Sequence, residues 1–110
     1  MDENKVALAE SDNRVNFDYL IENKINTFIA IPTEKIEKIV IYCHGLGSNK
    51  NWIVRFYEEL LKFNIGVVSF DFPGHGEDTT DFSSFDLSLC ISYLEKVIQY
   101  RQYPKIKVTI

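Results

Sequence analysis

The chain has 110 residues, 45% of them hydrophobic and 25% charged, with a formal net charge of −4. That describes one small globular domain, and it lacks both the basic stripe that nucleic-acid binding requires and an apolar run near the ~20 residues of a membrane span. The two cysteines, Cys43 and Cys90, form neither a disulfide framework nor a metal motif, and no apolar leader follows Met1, so a reduced, cytoplasmic chain is expected.

The elements follow in order. Residues 6–9 suggest a short edge strand. Val15, Phe17, Tyr19 and Ile21 alternate with polar or short residues, the period of a half-buried strand. Ile25, Thr27, Ile29 and Ile31 continue it after Glu22-Asn23-Lys24, which predicts an antiparallel hairpin. Residues 34–38 read as a solvated turn. Residues 39–43 and 65–70 are continuous apolar runs, as expected of parallel strands covered on both faces. Between them, residues 52–63 predict an amphipathic helix. Trp52, Ile53, Phe56, Tyr57, Leu60 and Leu61 fall on its buried stripe, and Ser48 or Asn49 serves as cap. Residues 84–101 predict a second helix with Leu87, Cys90, Ile91, Leu94, Val97 and Ile98 inward, and Ser83 with Asp86 as a capping box. After Pro104, residues 106–110 read as a last strand. The expected architecture is α/β: an antiparallel hairpin followed by βαβαβ.

Ligands of open α/β sheets bind outside the carboxyl ends of the strands. Two loops leave such ends here, 43–49 and 71–78. In the first, Gly45 and Gly47 allow positive φ and close backbone approach, and a helix start behind them would aim free N–H groups at a small anion or a developing oxyanion. Lys50 stands where a dinucleotide fingerprint needs a third glycine, and Asn51 where a Walker A loop needs Ser or Thr, so both phosphate-loop readings fail. His44 reads as a loop-fixing residue before a general base. Asp71 reads as a turn anchor before a catalytic carboxylate. His75 and Asp78 lack metal-ligand spacing. Ser48, Ser69, Ser83, Ser84 and Ser88 lack the context of a nucleophile, and the two cysteines read as apolar fillers.

At these residues the sequence resembles the N-terminal half of an α/β-hydrolase, in particular its lysophospholipase-like or serine-aminopeptidase-like branch. His44-Gly45-Leu46-Gly47 is similar to that family's HG-x-G oxyanion loop, and Asp71-Phe72-Pro73-Gly74-His75-Gly76 to its D-x-x-G-x-G turn. One amphipathic helix separates the two. The resemblance covers residues 15–110. It implies that the Leu46 N–H is an oxyanion donor, that His44, Gly45, Gly47, Asp71, Gly74, His75 and Gly76 form the loops, and that no cofactor or metal is needed. It also implies that the 39–43 strand lies between the 65–70 strand and the last one, with right-handed crossovers placing the two helices on opposite faces.

The family's nucleophile sits on a G-x-S-x-G elbow after the strand that follows the second helix. No such pentapeptide occurs in the 110 residues. The expectation is therefore a single incomplete domain, cut before its nucleophile elbow and lacking the triad acid and histidine. Such a chain would be inactive alone and would meet a small acyl substrate only when completed. Two alternatives stay open: half of a split hydrolase completed by a second polypeptide, and a non-enzymatic module that self-associates through its C-terminal edge strand.

Overall fold

A computed structural model describes residues 3–20, 24–99 and 107–109. Helix α1 (Glu3–Glu10) precedes strands β1 (Val15–Leu20), β2 (Ile25–Ala30) and β3 (Lys38–Cys43). A 3-10 turn (Lys50–Arg55), helix α2 (Tyr57–Lys62), strand β4 (Ile65–Phe70), helix α3 (Leu87–Ile98) and strand β5 (Lys107–Thr109) follow. Residues 22 and 23 of the hairpin turn, the predicted helix end at 100–101, and Ile106 and Ile110 lie outside the described residues.

The five strands form one sheet in the order β1-β2-β4-β3-β5. β1 and β2 pair antiparallel, Val15 opposite Ala30, and β2 continues antiparallel to β4. β3 pairs parallel with β4 on one side, Cys43 opposite Phe70, and with β5 on the other, Val40 opposite Thr109. β3 thus lies between β4 and β5, with the carboxyl ends of all three at one edge.

Each face of the sheet has its own core. One gathers Phe28, Ala30 and Val67 under Ile53, Val54, Tyr57 and Leu61, with Ala9 and Val15 beside them. The other gathers Ile25, Ile29, Ile39, Ile41, Val68 and Phe70 under Tyr93 and Val97 of α3. The two crossover helices therefore cover opposite faces. β2 departs from the half-buried expectation: five of its six residues are buried, because β1 and β4 flank it and both layers cover it.

Three local expectations are corrected. Residues 6–9 are helical, not an edge strand. Val6 and Ala9 are one turn apart and share the face that meets the core, which a helix allows and an alternating strand does not.

The single helix over 52–63 is broken at Phe56 (φ −147°, ψ 9°) into the 3-10 turn and α2. The Lys50 carbonyl, which an α-helix would offer to residue 54, accepts the Ser69 hydroxyl at 2.8 Å. Trp52, expected inside, is 39% exposed; it stacks on Tyr42, and the Arg55 guanidinium lies 4.9 Å over its ring.

α3 starts at Leu87, later than expected. Asp86 is its cap, accepting the Leu89 N–H, while Asp81 rather than Ser83 caps a short 3-10 turn at Phe82–Ser84. The buried stripe of α3 is Cys90, Tyr93 and Val97. Leu87, Ile91 and Ile98 are exposed. Among the described residues no helix is long and apolar enough to cross a membrane.

Candidate functional site

The two loops leave adjacent strands at the same edge, because Cys43 ends β3 opposite Phe70 at the end of β4. The first makes a tight turn in which the Ser48 N–H donates to the Gly45 carbonyl at 3.0 Å. Gly47 stands third in it with φ +80°, the left-handed position such a turn requires. The exposed Leu46 occupies the tip.

Two imidazoles join this turn to the second loop by exchange. His44, on the first loop, accepts the Phe72 N–H at Nε2 (3.0 Å) and contacts the Gly45 carbonyl through Nδ1 (2.7 Å). His75, on the second, accepts the Gly47 N–H at Nε2 (3.0 Å) and contacts the Pro73 carbonyl through Nδ1 (3.0 Å). A backbone N–H can only donate, so each Nε2 carries a lone pair and each Nδ1 carries the proton. Both rings are buried, with centroids 5.0 Å apart. Burial pushes the His44 pKa below the ordinary histidine value, against the hydrogen bond to Gly45. Neither ring has a nitrogen left for general-base work.

Behind the clasp lies a buried ion pair. Asp71 is fully buried, and its Oδ1 accepts the Lys50 N–H at 2.8 Å. Its Oδ2 accepts the Glu77 N–H at 2.9 Å and Lys50 Nζ at 3.1 Å. Lys50 Nζ also reaches Glu77 Oε1 at 2.5 Å. Asp71 thus anchors its own turn and, in addition, ties it to the first loop's exit. Gly76 is required at that turn: φ is +55°, and a Cβ would come within 2.3–2.5 Å of the Asp71 carboxylate. Gly74 (φ +73°) faces the Phe82 backbone in the same way, its Cβ falling 2.9 Å from Phe82 Cα.

Asp78 closes the second loop. Burial works against its ionisation, but hydrogen bonds from the Gly74 N–H, the Tyr93 hydroxyl and Thr80 outweigh it and hold the carboxyl below its usual range.

The role of Lys50 was not legible as such. In the sequence it counted only as a residue that spoils phosphate-loop patterns. The signal was a lysine two residues ahead of an apolar stripe, with an aspartate at the neighbouring strand's end.

The helix start behind the glycine turn does not offer free N–H groups. Lys50 N–H goes to Asp71, Asn51 N–H to the Asn49 side chain (2.9 Å), and Trp52 N–H to the Asn49 carbonyl (3.3 Å). The Leu46 N–H is different: among the described residues nothing accepts it.

Nucleophile candidates are few. Ser69 is buried and donates to Lys50, while Ser83, Ser84 and Ser88 are exposed on and around the short 3-10 turn and α3. Burial raises the pKa of both Cys43 and Cys90, away from thiolate chemistry. Cys43, expected as a buried filler, is only half-buried. Among the described residues no group of three His, Cys, Asp or Glu gathers to hold a metal.

No protein-family model and no curated protein sequence matches the chain. Solved structures do. A thermostable carboxyl esterase from Bacillus coagulans, crystallised with glycerol, superposes with a TM-score of 0.60 at 22% identity, over 84% of this chain and 33% of that one. Est1E from Butyrivibrio proteoclasticus, with ferulic acid bound, gives 0.58 at 19% identity, over 77% and 37%. A bacterial membrane phospholipase A gives 0.60 at 19% identity, over 94% and 32%. The chain spans about a third of the length of these structures. Its mixed sheet, with the hairpin at one end and helices on both faces, has the fold of part of an α/β-hydrolase.

Proposed function

We propose that this chain supplies the oxyanion loop of an acyl hydrolase, acting on an ester, thioester or amide, and has no turnover by itself. The observation that carries this reading is the Leu46 N–H, left without an acceptor at the tip of a tightly held turn at the carboxyl end of β3, beside the parallel β5. A donor fixed before reaction costs no reorganisation when a tetrahedral intermediate develops charge. The elbow serine, its acid and its histidine would come from residues beyond these 110, and the residue after the serine would give the second donor. The likeness to two esterases and a phospholipase supports the reaction class. The His44-Gly45-Leu46-Gly47 and Asp71 to Gly76 motifs support the lysophospholipase-like or serine-aminopeptidase-like branch, and the two free cysteines suit a reducing, cytoplasmic setting.

A second reading is favoured by a specific feature. β5 pairs with β3 alone among the described strands, and α3 exposes Leu87, Ile91 and Ile98. An open strand edge beside bare apolar side chains suits docking of a completing polypeptide, or of a second copy.

The test is a fluorophosphonate probe for activated serines, together with p-nitrophenyl acetate turnover, on the purified chain. Neither labelling nor turnover above the uncatalysed rate is expected. Stoichiometric labelling of any serine within the 110 residues overturns the reading.

A further inference from the structure

Leu46 is flanked by two peptide planes, and each is held by a different imidazole. The Gly45–Leu46 plane is held at its carbonyl, which receives His44 Nδ1–H at 2.7 Å and the Ser48 N–H at 3.0 Å. The Leu46–Gly47 plane is held at its N–H, which donates to His75 Nε2 at 3.0 Å. Carbonyl and N–H of one trans peptide point in opposite directions. Fixing the Gly45 oxygen with two donors therefore turns the Leu46 N–H to the side away from them. The same donors polarise the peptide and strengthen that N–H as a donor in turn.

The rings are themselves fixed by adjacent residues of the second loop, Phe72 through its N–H and Pro73 through its carbonyl. Phe72, Phe82 and Phe85 pack against the two imidazoles at centroid distances of 4.9 to 5.5 Å. Space does not do this work: a Cβ at Gly45 or Gly47 would meet nothing within 4 Å, so the turn is held by hydrogen bonds rather than by packing.

We infer that His44 and His75 are a matched pair of positioning residues, each in its neutral Nδ1–H tautomer, that together set the direction of the Leu46 N–H. This rests on the reading of that N–H as an oxyanion donor. Neither ring touches substrate; each acts through a glycine. Protonating either ring at Nε2 removes an acceptor for a backbone N–H and releases one side of the clasp. The titratable groups facing the pair are the two rings themselves and Asp71, whose carboxylate is engaged by Lys50 and Glu77. Asp78, on the same loop as His75, is engaged by Gly74, Thr80 and Tyr93.

The experiment is NMR on the 15N-labelled 110-residue chain. At pH 7.5 both imidazoles are expected to show a protonated Nδ1 and an unprotonated Nε2. On acidification the Leu46 and Gly47 amides shift in step with the imidazole signals, with the His44 step below the ordinary histidine range. The Ile41 and Val68 amides stay in place over the same range. His75→Phe exposes the Gly47 N–H and speeds its hydrogen exchange at least tenfold. His75→Gln, whose Oε1 replaces the Nε2 acceptor, restores protection. An Nε2–H tautomer on either ring, or a Leu46 amide unmoved while both rings protonate, overturns the inference; these readings come from the unsubstituted chain and do not depend on a variant folding. A serine labelled by the phosphonate probe would instead overturn the hydrolase reading and leave the tautomers untouched.

Discussion

Replacing Lys50 with methionine lowers the stability of the chain by about 3–5 kcal/mol, the usual cost of removing one partner from a buried ion pair. The reason lies in what is left behind. The Lys50 side chain is 2% exposed and the Asp71 side chain 0%. Without Nζ, the Asp71 carboxylate keeps two backbone N–H donors but no counter-charge, in an interior that water does not reach. Lys50→Met with Asp71→Asn recovers part of the loss, because the remaining amide is neutral; its single oxygen keeps only one of the two backbone donors that Asp71 holds on separate oxygens. Glu77→Gln costs under ~1 kcal/mol, since Glu77 is 67% exposed and its pairing with Lys50 is screened. Urea denaturation midpoints of the four proteins check the ordering. A Lys50→Met protein within 1 kcal/mol of the unsubstituted chain would mean that the pair does not hold the loops together.

Alanine at the glycines of the two loops produces a graded series, with Gly76 at its extreme. At Gly76 the positive φ alone costs about 1–3 kcal/mol for a residue with a Cβ. The new methyl also falls within 2.3–2.5 Å of the Asp71 carboxylate and must displace it from Lys50 and the Glu77 N–H. Gly76→Ala is therefore expected to approach the loss seen for Lys50→Met. Gly47→Ala carries the positive φ without a clash and costs about 1–2 kcal/mol. Gly45→Ala has neither penalty and stays within about 0.5 kcal/mol. Thermal or urea melts of the three variants give the series directly. Equal losses at Gly45 and Gly76 would contradict the geometry.

The strand arrangement was legible because β3 and β4 are continuous apolar runs, although only β4 is buried on both faces while β3 buries Ile39 and Ile41 alone. Continuous runs such as 65–70 have one consistent home, the interior of a parallel sheet. The loops were legible as places, because glycines and prolines follow those runs directly. What escaped was the tertiary competition for backbone groups. Asn49 as a cap is a local rule and it held. The break at Phe56 was not local, since it accompanies the Ser69 hydroxyl taking a carbonyl 19 residues away. The rotated face of α3 has a similar origin. Tyr93 turns inward to reach Asp78 and Thr80, and Leu87 and Ile91 turn outward with it. At residues 6–9 the pattern is ambiguous, since four residues are too few to separate alternation from a helical turn.

Within the site, His44 and His75 could be read as loop residues, but not as partners. Their bonds span 28 positions in each direction, and nothing in the local pattern of either loop encodes the exchange. Lys50 was hidden for the same reason. A buried lysine is rare, and only the position of Asp71 in the neighbouring loop explains it.

The most direct test of the central claim is the coding sequence that continues past the codon for Ile110. The account predicts a Gly-x-Ser-x-Gly elbow there: in frame, one base out of frame, or at the matching strand end of the product of the adjacent reading frame. Absence of that pentapeptide from all three would contradict it, leaving the Leu46 N–H without a nucleophile to serve.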